Sequence, residues 1–248
     1  MTDAELVRTI TEAKPNVDLL LCAGRSVLAA PKRRKQRELL RASGNAPVLF
    51  EVAPEQWWLV QSASALMVRA RQLLAKHDAP RESREALART LKAGRGTICL
   101  PNTNTYLNLM ICGENNILSL TGSSVLKDGR PWAAKTKSLQ GEWLLLNPAH
   151  RPYRAPSRSA GAAKVRSVDG YSPVFQRLTG RERPYRDGTR APVAVVYVNN
   201  YLPGKRWTRD IAGVVFHQGE QIQPSRCVPA RPNANLGFEY REFQLHLR

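Results

Sequence analysis

"YLNLMICGENNILSL", Tyr106–Leu120, is the stretch on which the fold turns. An apolar run through Leu107, Leu109, Met110 and Ile111 stops on Cys112, and Gly113, Glu114, Asn115 and Asn116 follow before apolar residues resume. A buried run that ends on a thiol, a carboxylate and two amides reads as a strand whose C-terminal end carries polar chemistry, the end at which open α/β sheets build their sites. The other reading of the same letters is an ordinary turn next to a buried cysteine.

Working outward, comparable runs recur along the chain. "VDLLLCAG" (17–24), "APVLFEVA" (46–53), "QWWLVQSASALMV" (56–68), "GEWLLLNP" (141–148), "APVAVVYVNN" (191–200) and "IAGVVFHQGEQI" (211–222) each predict one strand. Helices are predicted over 3–14, over 31–44 between a leading Pro and a trailing Gly, and over 84–94 up to a Gly stop. The strands are unbroken apolar runs rather than alternating ones, so both faces must be covered, and helices interleave with them. That pattern predicts an α/β architecture.

At 248 residues with 42% hydrophobic content, the chain is long enough for one sizeable domain, 1–248. The absence of any 18-residue apolar run argues against a spanning helix, and "MTDAELVRTI" lacks the apolar core of a signal peptide. Cys22, Cys99, Cys112 and Cys227 have neither metal-like nor disulfide-framework spacing, which points to reduced thiols in a cytoplasm. The segment 151–190 holds ten Arg and Lys against three acids and reads as a basic, loop-rich excursion, either a binding loop or a solvated insertion.

Lys and Arg number 38 against 20 Asp and Glu, a net charge of +18, so attraction to polyanions is expected. The densest cluster is Lys32, Arg33, Arg34, Lys35 and Arg37. Neither a metal nor a cofactor is implied: His77, His150, His217 and His246 are isolated, and no phosphate-binding Gly loop is present. A metal-dependent nuclease would need convergent carboxylates, whereas those present are largely scattered through charged helices. Among the cysteines, Cys22 and Cys99 are flanked by apolar residues, while Cys112 stands at a strand end where backbone N–H groups are at hand.

The chain resembles the carbon–nitrogen hydrolase (nitrilase) superfamily, whose members use a Cys, a Lys and a Glu. "LMICGENNIL" is similar to the family's nucleophile motif, with Cys112 as the nucleophile, and "QLLAKHDAP" (72–80) resembles the segment bearing the catalytic Lys, with Lys76 in that role. "GEWLLLNPAH" (141–150) and residues 193–222 resemble later strands of that family. The resemblance implies a four-layer α-β-β-α sandwich, a homodimer, and hydrolysis of a small amide or nitrile through a cysteine thioester. It also implies Asn115 and His150 as substrate-binding residues. One position departs: where the family's general-base Glu should close the first strand, this chain has Gly24. Loss of a positioned base costs about 10²–10⁴-fold, so Glu51 and Glu114 are the substitute carboxylates, Glu51 as base and Glu114 as a shaper of the site. The alternative is an inactive relative that binds nucleic acid or another polyanion through its basic surface.

Overall fold

The computed structural model describes residues 3–22, 32–52, 56–62, 64–73, 81–92, 97–100, 103–118, 142–149, 175–180, 190–198, 213–228 and 240–247. It is a mixed α/β fold. A first sheet has the order β1 (Leu20–Leu21), β2 (Val48–Val52), β3 (Gln56–Gln61), β4 (Ser64–Arg69), with β1 parallel to β2 and the rest antiparallel. A second, six-stranded sheet has the spatial order β10 (Glu220–Ile222), β9 (Gly213–His217), β8 (Ala194–Val198), β7 (Trp143–Pro148), β6 (Tyr106–Leu109), β5 (Thr97–Cys99). In it, β6, β7 and β8 run parallel, and the outer strands are antiparallel additions.

Strand alternation sorts the side chains into three apolar clusters. Val48, Phe50 and Val52 pack with Leu6 and Ile10 of α1 (Asp3–Ala13) and Leu39 and Leu40 of α2 (Arg33–Ala42). Leu49, Trp57 and Leu59 instead join Leu107, Leu109, Leu144, Leu146 and Ala194, so this cluster lies between the two sheets. The opposite parity of the second sheet, including Met110, Trp143, Leu145, Val195 and Phe216, packs with Leu87 of α3 (Arg81–Lys92) and with Phe175 and Leu178 of a short helix α4, residues 175–179.

Several predicted boundaries change. The run 56–68 is two strands, not one: β3 and β4 form a hairpin that turns at Ser62, whose φ is +53°. Residues 211–222 likewise fold back, through Gln218 (φ +50°) and Gly219 (φ +86°), into β9 and β10. Strand β5 and the β11 (Arg226–Val228)–β12 (Tyr240–Glu242) pair are additions to the expected set.

Of the basic excursion, only 175–180 and Arg190 are described, and α4 is an anchored element rather than a solvated one. Phe175 and Leu178 are fully buried, the Phe175 ring lies 5.8 Å from that of Phe216, and Gly219 N–H donates to Thr179 Oγ1 at 3.1 Å. The stretches 151–174 and 181–189 lie outside the described residues.

Residues 226–228 and 240–247 pack back against earlier parts of the chain. Arg226 donates to the Lys14 carbonyl at 2.9 Å, and Leu245 and Leu247 pack against the inter-sheet cluster. Among the described residues, no helix is long and apolar enough to cross a membrane.

Phe175→Ala should destabilise the fold by about 3–5 kcal/mol, the cost of emptying a buried aromatic site, read as a lower urea midpoint with an unchanged m-value. An unchanged midpoint would mean that α4 does not belong to the core.

Candidate active site

β6 carries the chain along the second sheet to Leu109, and the Met110 N–H still bonds the Leu146 carbonyl at 2.9 Å. The backbone then turns sharply into a short 3₁₀ helix, Cys112–Ile117. Cys112 occupies the left-handed region, with φ +47°. A residue with a Cβ pays about 1–2 kcal/mol for that conformation, and such strain concentrates at functional positions. The Cys112 side chain is part-buried and contacts both the inter-sheet cluster and the outer cluster of the second sheet.

Glu114 explains how the turn is held. Its Oε2 accepts the Ile111 N–H at 2.8 Å, and its own N–H donates back to the Ile111 carbonyl at 3.0 Å, a reciprocal closure of the turn. Its Oε1 accepts Arg69 Nη2 at 2.6 Å and the Leu73 N–H at 2.8 Å. Arg69 also donates through Nη1 to the Leu109 carbonyl at 3.2 Å, and both side chains of the pair are buried. Burial pushes the Glu114 carboxyl above its ordinary range, opposed by the Arg69 charge and by the Leu73 and Ile111 amides. Both carboxylate oxygens are thus engaged.

Arg69 was missed in the sequence because it closes what looked like a plain apolar strand. The register places it directly opposite Trp57, which is opposite Glu51. Directly opposed residues share a face, so Glu51, Trp57 and Arg69 form a row across β2, β3 and β4. Alternation puts Glu51 on the side of Leu49, toward the second sheet, where it is fully buried. Glu51 therefore lies in the same inter-sheet layer that Cys112 contacts.

Two asparagines complete the turn. Asn147, at the end of β7, donates from Nδ2 to the carbonyls of Met110 and Cys112, the latter at 3.1 Å. Asn115 is 3% exposed, and neither its Oδ1 nor its Nδ2 has a hydrogen-bond partner among the described residues. A buried amide left open on both sides typically costs about 1–3 kcal/mol per group. Lys76, His150 and Gly24 lie outside the described residues.

Burial pushes the Cys22 thiol up to about 12, while Cys99 and Cys227 are exposed. Among the described residues, no group of three His, Cys, Asp or Glu side chains is placed to hold a metal ion. On α2, Lys32, Arg33, Arg34 and Arg37 are exposed, whereas Lys35 is partly covered and bonds Glu38 at 2.5 Å.

Comparison with known proteins returns no matching family model, no matching curated protein and no matching solved structure.

Arg69→Ala strands a buried carboxylate and should cost about 3–5 kcal/mol. The double substitution Arg69→Met with Glu114→Leu should recover much of that loss in denaturant titrations. A double variant no more stable than Arg69→Ala would contradict the pairing.

Proposed function

We propose that this chain is a hydrolase of non-peptide C–N bonds that acts on a small amide or nitrile through a thioester at Cys112. The observation that carries the reading is the backbone of Cys112, held in a left-handed turn at a strand end by a buried ion pair. A turn of that kind raises a side chain out of the sheet, which is what a nucleophile requires. The three apolar clusters agree with a four-layer α-β-β-α sandwich, the arrangement expected of the carbon–nitrogen hydrolases.

The chemistry follows from the residues. Cys112 Sγ attacks the amide carbon; the C–N bond breaks, and the amine leaves with a proton. Water then attacks the thioester, releasing the acid and restoring the thiol. A carboxylate must move those protons, and Glu51, buried in the layer that Cys112 contacts, is the candidate base in place of the missing acid at Gly24. Lys76 is the candidate cation for the developing oxyanion, and Asn115 and His150 are the candidate substrate contacts. The setting is a reducing cytoplasm. Exposed Leu66 and Met67 on β4, at the margin of the described first sheet, favour self-association as a homodimer.

A second reading rests on α2. Its first turn contains no acidic residue, Lys32 makes no side-chain cap, and Arg33, Arg34 and Lys35 all sit at the positive end of the helix dipole. That arrangement opposes helix stability and is relieved by a bound anion, so this face suits nucleic acid or another polyanion, with or without catalysis.

Iodoacetamide labelling tests the first reading. Cys112 should react fastest and lose less of its rate between about pH 8 and pH 6 than the exposed Cys99 and Cys227. Cys22, with its raised pKa, should stay silent at neutral pH. Cys112 reacting no faster than Cys99 would defeat the hydrolase reading. Replacing Lys32, Arg33, Arg34, Lys35 and Arg37 by Gln should reduce the salt dependence of DNA binding, by up to roughly 0.9 in log–log slope per lost phosphate contact. An unchanged slope would remove α2 from any polyanion surface.

A further inference from the structure

The hydrogen bonds around β7 single out a residue outside the proposed chemistry. Up to Leu146, β6 and β7 are joined by an ordinary parallel ladder, which ends as Met110 N–H meets the Leu146 carbonyl. At the next residue the backbone pairing gives way to a side chain. The Asn147 amide nitrogen bonds the Met110 carbonyl and, at 3.1 Å, the Cys112 carbonyl. One planar NH₂ group therefore spans Ile111 and grips the carbonyls on either side of it.

That grip bears directly on the thiol. With the carbonyls of residues 110 and 112 drawn to one point, the chain between them cannot continue as a strand, and Cys112 takes φ +47°. The peptide plane after Cys112 is fixed by the 3.1 Å bond, and the direction of its Cα–Cβ bond is fixed with it. Pro148 strengthens the device, because a residue before proline is confined to extended backbone, so Asn147 enters the site from a preset direction. Asn147 is fully buried, and its Oδ1 has no partner among the described residues. An apolar residue of equal size would avoid that unpaired acceptor, so the amide is retained for what its nitrogen does.

We propose that Asn147 is a positioning residue for Cys112: its side-chain amide sets the left-handed turn that aims the thiol, and the reactivity of that thiol depends on it. The inference rests on the hydrolase reading. Few residues can replace it. Asp is the same size but offers acceptors to two carbonyls, Leu fills the volume without a donor, and Ala leaves the carbonyls unbonded.

The test uses the full chain and iodoacetamide, with the rate of Cys112 referred to that of Cys99 in the same sample by mass spectrometry. In Asn147→Leu, the Cys112/Cys99 rate ratio should fall by about 10²-fold, the scale expected when a reacting group is displaced by an ångström. Its pH profile should move toward that of Cys99. Asn147→Asp should behave alike, and Asn147→Ala serves if either variant fails to fold by circular dichroism. A folded variant that keeps the wild-type ratio and pH profile overturns the inference while leaving the hydrolase reading intact. A wild-type ratio near one instead defeats the hydrolase reading itself.

Discussion

The buried pair of Arg69 and Glu114 is the interaction on which the arrangement depends. Arg69 belongs to the last strand of the first sheet, and Glu114 to the turn that closes β6 in the second. Apolar packing between the sheets is non-directional and would tolerate sliding. A guanidinium that must meet a carboxylate and the Leu109 carbonyl together tolerates very little, because any slip leaves a charge dry and unpaired. The pair therefore fixes how one sheet lies over the other, and through Glu114 it also fixes the turn that carries Cys112.

In the central strands the local choices agree with one another. β2 is buried on both faces and sends Val, Phe and Val to the helices and Leu to the other sheet; β7 is buried at every position. Around Cys112 the agreement stops. A residue with a side chain sits at positive φ, and among the described residues a buried asparagine amide has both ends open and a second asparagine keeps an unmatched oxygen. Departures of this kind also occur at Ser62 and Gln218 and at the side chains of Trp57, Gln61 and Asn108, but the Cys112 turn combines them with a buried ion pair, and such departures are expected at functional sites.

The strands were legible wherever hydrophobicity alone specified them. The turn inside "QWWLVQSASALMV" was not, because it carries no Gly, Pro or Asn and is made by Ser62 in a conformation its type seldom adopts. In "FHQGEQI" the signal was present: Gly219 is the residue a two-residue hairpin turn favours. Cys112 was readable from the polar break after β6, and Glu114 from its nearness to that thiol. Their partner Arg69 was not, since it lies 45 residues from Glu114 and meets it only through sheet stacking. Asn147 was visible only as half of a strand-ending Asn-Pro, and nothing in one dimension says that its amide reaches across to the neighbouring strand.

The docking of residues 226–228 and 240–247 against earlier parts of the chain has a consequence for folding. Leu245 and Leu247 cover part of the seam between the sheets, and Arg226 fastens to the carbonyl of Lys14. Until those residues dock, that part of the seam stays wet even if both sheets have already paired. A folding intermediate with the sheets formed and this stretch undocked bares apolar surface, which makes it the species most prone to aggregate.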